Sequence, residues 1–344
     1  MKRQLLNVGV LLPFTLLSTF FTATTATADL GMNKSNNIYQ EIPSTFYQQE
    51  RIPGEGKEPN INSVTYDGLV VEELSDLLTP EDLATTLVGM GVEVVDVTYK
   101  GADIASGIFY GGENIVGFNN GILLTSGSVH NVVGPNTSDN ISTDNHTVGD
   151  TDLDALSGYT TYDAAVLEID FIPTTPIVYF RYTFVSDEYN EYVNTTYNDV
   201  FAFFINGENC ATVEGDPVSI NTVNYGNPYT TEPYSHPEYY ISNDLSDGGG
   251  QLDTEMDGLT HVLTCWSEVN PGQTNSLKLA IADASDHVYD SAVFLEATSL
   301  VSDDLIELTG LEVTQAIQDL TDSVVLISYK PTFVRAHVRS LSGT

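Results

Sequence analysis

Basic residues are scarce in this chain: 11 Lys and Arg stand against 48 Asp and Glu, a formal net charge of −37. That shortage leaves no basic patch for phosphate groups, which excludes nucleic acid and anionic lipid as partners. A surface this acidic attracts divalent cations, or simply suits a salty medium. Cysteine is nearly absent as well: Cys210 and Cys265 are the only two, too few for a Cys-rich zinc site. The six histidines (His130, His146, His236, His261, His287 and His337) are scattered, and no H-E-x-x-H, G-x-S-x-G or phosphate-loop motif occurs. Beyond the opening segment no run of eighteen apolar residues exists, so no later membrane span is predicted.

What is present begins with an export signal over 1–28. Lys2 and Arg3 form a positive start, Leu5 to Phe21 are apolar apart from Pro13 and a few hydroxyls, and ATTATA ends at Ala28. An uncleaved anchor is the alternative. In an exported chain the even cysteine pair predicts a Cys210–Cys265 disulfide, with two buried thiols as the other reading. Residues 29–63 are polar and aperiodic, a flexible leader.

Residues 64–300 read as one antiparallel β-sandwich of jelly-roll type with a short helix near its start. Thr79-Pro80-Glu81-Asp82 opens that helix: an N-cap, a proline at the first helical position and two acids at the positive end of the dipole. Gly89 or Gly91 is expected to end it. Period two then takes over. Leu167, Ile169 and Phe171 alternate with Glu168 and Asp170; Val178, Phe180, Tyr182 and Phe184 share a face, as do Leu277, Leu279 and Ile281. Asn120-Gly121, Asn206-Gly207 and Gly248 to Gly250 read as turns. Residues 301–344 read as the incomplete start of a second β-sandwich domain, with strands at 324–327 and 332–338; a unit of that size cannot bury a core alone.

Two acidic loops carry the candidate chemistry. FVSDEYNEYVNTTYNDVFAFFING, Phe184 to Gly207, holds four carboxylates and three asparagines within positions 187–199. Asp187, Glu188, Glu191 and Asp199 lie between two strand-forming runs. Asp283, Asp286 and Asp290 lie between two more. If both loops occupy one end of the sandwich, their carboxylates need a cation or shared protons to coexist. All-oxygen donors point to Ca²⁺ as the cofactor. The plainer alternative is two solvated turns whose Asp and Asn side chains satisfy local amides. Asp150, Asp152 and Asp154 imitate the opening of an EF-hand, but Ala155 and Thr161 stand where Gly and Glu are required, leaving a capped helix start. Glu188 with Asp199 as a glycosidase pair is a weak signal in so acidic a chain. Tyr225, Tyr229, Tyr234, Tyr239 and Tyr240 form a tyrosine-rich stretch suited to a sugar- or protein-binding face, or to ordinary packing.

Seven motifs in order resemble the choice-of-anchor L domain of exported bacterial proteins, from about Leu77 to Ser299. They are LATTLVGMGVEV, GILLTSG, VGPN, DTDLDALSG with DAAVLEIDF, FVSDEYNEYVNTTYNDVFAFFING, DGLT and LAIADASDHVYDSAVFLEA. The family's usual Ser-Glu-Glu-Tyr has Asp187 in place of its first Glu. The resemblance implies export and residence at the bacterial surface or outside the cell, and supplies no catalytic residue. The expected function is a non-enzymatic module for adhesion or ligand binding, with a surface glycan or protein as partner and calcium at its acidic loops. The alternative is an accessory domain of a secreted protease or glycosidase whose catalytic domain lies beyond residue 344.

Overall fold

The computed structural model describes residues 68–303, except 232, 247 and 248, and two further strands at 306–314 and 333–340. The expected export signal, the polar leader and the strand at 324–327 lie outside the described residues. Strands are numbered in chain order: β1 (Val70–Glu73), β2 (Val92–Lys100), β3 (Ser106–Tyr110), β4 (Asn120–Thr125), β5 (Thr161–Pro173), β6 (Ile177–Ser186), β7 (Val200–Ile205) and β8 (Glu208–Asn209). They continue with β9 (Thr212–Val213), β10 (Asp216–Pro217), β11 (Tyr240–Ser242), β12 (Gly258–Thr260), β13 (Leu263–Glu268), β14 (Asn275–Ala284) and β15 (Ser291–Glu296). One sheet runs β1-β3-β4-β15-β6-β12-β11, with β13 also paired to β6, and the other runs β2-β5-β14-β7-β8. Their pairings are antiparallel throughout. The fold is an all-β antiparallel sandwich, as the alternating pattern predicts.

The two sheets meet across an aromatic seam. Val178, Phe180, Tyr182 and Phe184 of β6 are fully buried and face Phe201 and Phe203 of β7. Phe184 stacks on Phe201 with centroids 4.8 Å apart, while Phe180 and Tyr182 meet Phe203 edge-on at 5.2 and 5.0 Å. Burying one such ring contributes roughly 1.5–3 kcal/mol, with about 0.5–1.5 kcal/mol more from ring geometry. Leu167, Ile169 and Phe171 of β5 and Leu277, Leu279 and Ile281 of β14 complete this core. The outer faces are partly covered too. Leu123, Val185, Ala292 and Phe294 pack under Val116, Phe118, Val129 and Val132 on one sheet, and Ala164, Val166, Ala202, Ala280 and Ala282 pack under Leu153 on the other.

Helix α1 (Pro80–Leu87) starts where the sequence places it. The Asp82 carboxylate reaches back to accept from the Thr79 amide and hydroxyl, both at 2.9 Å, which holds its acid below the ordinary range. Leu83 and Leu87 turn into the core. The helix stops at Leu87 because Val88 is already extended and bridges Leu300, so neither glycine is its cap. Asn206 and Gly207 both have positive φ, 51° and 89°, and close the tight β7–β8 hairpin. Asn120-Gly121 is not a turn. It opens β4, and a side chain at Gly121 would lie 1.9 Å from the Leu295 carbonyl oxygen. Close backbone approach, not a reversal, requires that glycine.

A separate compact unit contains β16 (Ile306–Thr314) and β17 (Phe333–Ser340), paired antiparallel with Leu311 opposite Ala336. The strand predicted at 332–338 is β17; its partner β16 was not assigned from sequence.

Cys210, just after β8, is disulfide-bonded to Cys265 on β13, with Cα atoms 5.1 Å apart and a sequence separation of 55. The bond joins the two sheets at their edges. A Cys210→Ser, Cys265→Ser double variant is expected to lose up to about 4 kcal/mol in urea unfolding, from loop-closure entropy returned to the unfolded chain. A midpoint unchanged by the double substitution would show that the staple contributes nothing.

Candidate metal centre

Four linkers converge at one end of the sandwich. Residues 126–160 pass from β4 to β5, 187–199 from β6 to β7, and 285–290 from β14 to β15, each crossing between the sheets. Residues 243–257 join β11 to β12 beside them, since Ser242 pairs Gly258 and Gly258 pairs Ser186. The two acidic loops therefore do lie at the same end. The Asp187 amide donates to the Asp290 carbonyl at 3.1 Å, Ser285 Oγ to the Thr196 carbonyl at 2.8 Å, and the Tyr192 and Tyr289 rings sit 5.0 Å apart.

Five of the seven predicted ligands are buried here: Asp187, Glu188, Asp199, Asp283 and Asp290. Glu188, Asp199 and Asp283 form an inner trio with no solvent exposure. The Asp199 amide donates to Glu188 Oε2 at 3.1 Å, and the Ala284 amide to Asp199 Oδ1 at 3.1 Å. Their remaining oxygens, Glu188 Oε1, Asp199 Oδ2 and both of Asp283, make no hydrogen bond of ordinary geometry, and the Ser291 and Ser126 hydroxyls beside Asp199 and Asp283 offset their burial only in part. Burial, then the neighbouring carboxylates, pushes all three acids well above their ordinary range. An unpartnered buried oxygen costs about 1–3 kcal/mol, more when charged, so four of them together need a proton or a cation. Glu191 and Asp286 stay at the half-buried margin; Asp286 accepts from the Val288 amide of its own loop at 3.2 Å.

Asp187 and Asp290 link the trio to the outer rim. Asp290 accepts from Asn131 Nδ2 at 2.7 Å and the Thr143 amide at 3.0 Å, and burial raises it to about 6. A side chain at Gly127 would come within 1.7 Å of Asp290 Oδ2, which explains the glycine that ends GILLTSG. Asp187 Oδ2 accepts from the Ile141 amide at 2.5 Å, and the Asp187 carboxyl meets that of Asp257; burial and then Asp257 raise it to about 10.

A model of the choice-of-anchor L domain matches residues 70–301. The chain belongs to the choice-of-anchor L family. Comparison with curated proteins and with solved structures gives no match. Membership makes this a surface-associated or secreted module. Among the described residues no helix is long and apolar enough to cross a membrane.

The choice-of-anchor L domain also gathers acids that were not assigned from sequence. Asn136 of VGPN donates to Asp257 of DGLT at 2.7 Å, and Asp257 is raised to about 8, by burial first and then, against that donated bond, by Asp244 and Asp139. Asp163 of DAAVLEIDF, with φ 49°, accepts from the Thr147 amide at 2.7 Å and faces His287 Nδ1 at 3.1 Å. The signal lay in the motifs themselves, since VGPN, DGLT and DAAV bring their polar residues to this one end. Asp150, by contrast, caps helix α2 (Thr151–Ser157), accepting from the amides of Asp152 and Leu153, as the failed EF-hand reading predicts.

Asp290, Asp257 and Asp187 hold a proton more tightly in the folded state than at their ordinary value of 3.8. Their stabilisation is complete below that value and is lost as pH rises through about 6, 8 and 10. Chelator-treated protein is therefore expected to melt several degrees lower at about pH 9 than at about pH 5. A melting temperature that is flat or rises over that range would contradict the assignment.

Proposed function

We propose that this module acts outside a bacterial cell as a non-enzymatic domain for adhesion or ligand binding, with Ca²⁺ neutralising its acidic end. The observation that carries the metal reading is the inner trio, three fully buried acids from the β6–β7 crossover and, for Asp283, the end of β14, with four oxygens lacking a hydrogen bond of ordinary geometry. Carboxylate oxygens with no thiolate or imidazole among them suit a hard cation, and Ca²⁺ tolerates the irregular, multidentate arrangement that loops provide. Glu188 and Asp199 are sealed from solvent, so neither faces a cleft that a glycan could enter for hydrolysis. A binding role is supported by family membership and by the exposed Tyr225, Tyr229 and Tyr234. The rings of Tyr225 and Tyr234 stack at 5.7 Å, offering flat apolar area with polar tips to a surface glycan or protein.

Thermal melting in Ca²⁺ against excess chelator tests the reading. Ligand at a hundredfold excess over Kd stabilises by about 2.7 kcal/mol, which for a domain of this size raises the melting temperature by roughly 5–10 °C. Glu188→Gln is expected to abolish most of that rise. Identical melts with Ca²⁺ and with chelator would remove calcium from the proposal.

A further inference from the structure

A second acidic group lies outside the inner trio. Asp139, Asp244 and Asp257 come from three separate places in the chain, yet each offers a carboxylate oxygen within 4.8 Å of the others. Asp244 and Asp257 are buried, whereas Asp139 is exposed. Their positions are set by a well-bonded frame. The Asn243 amide donates to the Asp257 carbonyl at 2.7 Å, and Asn243 Nδ2 clasps the Thr254 and Met256 carbonyls at 3.0 Å each. Asn136 Nδ2 spans Asp257 Oδ1 and the Asn243 carbonyl, and Thr137 is tied through its amide and hydroxyl to Glu255 at 3.0 Å. The frame holds three like charges together, and no ion pair among the described residues neutralises them. An independent observation points to a missing partner. The buried Asp257 carboxyl, beyond its bond from Asn136, meets only another acid, that of Asp187, and Asn136 Oδ1, on the residue that holds Asp257, is buried and unpartnered.

We propose that Asp139, Asp244 and Asp257 bind a second Ca²⁺, separate from the inner trio and open to solvent on the Asp139 side. Ligand oxygens separated by up to 4.8 Å fit within one Ca²⁺ shell, whose bonds are about 2.3–2.6 Å long. Asp139 also lines a surface depression with Thr137, Ser138, Asn140, Ser246 and Tyr289. Three protein carboxylates leave coordination positions free for water, and Asp139 is the ligand of the three that lines this depression. The outer ion is therefore exchangeable and water-ligated, whereas an ion at the inner trio is enclosed. The outer site does not depend on the inner trio holding an ion.

Calorimetric titration of the chelator-stripped full chain with Ca²⁺ tests this. Asp139→Asn is expected to weaken one binding event at least tenfold, and Asp244→Asn to remove it. Glu188→Gln should leave that event unchanged, which separates failure of the outer site from failure of the inner one. Asp139 is exposed, so its variant keeps the fold and decides the matter if Asp244→Asn does not fold. Wild-type affinity and stoichiometry in Asp139→Asn would overturn the proposal, as would loss of all binding in Glu188→Gln alone.

Discussion

Buried negative charge without positive charge to meet it is the constraint on which the acidic end depends. Elsewhere in the sandwich a partly buried acid has a base: Arg181 pairs with Glu296 at 2.8 Å, and Lys278 with Asp150 at 2.7 Å. At the crossover end the acids are more deeply buried, and they meet one another. Breaking a buried ion pair by removing one partner typically costs about 3–5 kcal/mol. A group of carboxylates that begins without a partner carries a similar penalty from the outset. Such a group persists in a folded protein only if protons or cations complete it.

The aromatic seam explains why the acids do not simply swing out. Phe184 and Phe201 stack at the very ends of β6 and β7, next to the loop that carries Asp187, Glu188 and Asp199. Tyr189, one residue beyond Glu188, is itself fully buried and donates to the Val223 carbonyl at 2.7 Å. With Tyr189 and the seam fixed, Glu188 is pinned between two anchored aromatics. Hydrophobic packing thus spends part of its free energy on holding like charges together, an arrangement found at functional sites more than in plain cores.

Much of this was legible because local chemistry and global fold agree. The alternation through β5, β6 and β14 names the central core, and Thr79-Pro80-Glu81-Asp82 names a helix start that the structure reproduces. The same-end arrangement of the two acidic loops stood only as a condition in the sequence, and the strand connectivity of the structure meets it. What stayed hidden was non-local or two-sided. Asn120-Gly121 looks like a turn because its dipeptide is a turn signal, yet the Leu295 carbonyl of β15, more than 170 residues away in sequence, determines its role. Asn136 and Asp257 are visible in sequence only as members of VGPN and DGLT, and Asp244 is unremarkable in its own segment. Only the pairing of β11 with β12, and of β12 with β6, brings them to one rim.

The composition and the site are then two views of one fact. With 11 basic residues against 48 acidic ones, the chain cannot supply a side-chain cation for every buried acid, and in the described part of the sandwich Arg181, Lys278 and Lys100 are used elsewhere, Lys100 pairing with Glu168 at 3.3 Å. Outside the cell divalent cations are supplied by the medium, so a surface module can leave its neutralising charge to the solvent. Under the calcium proposal, the fold of this end is conditional on where the protein resides. Its carboxylates would favour the closed arrangement in a calcium-containing exterior and oppose it where free calcium is scarce and the pH is neutral. That dependence follows from the geometry of the crossovers together with the shortage of lysine and arginine, and neither feature alone would produce it.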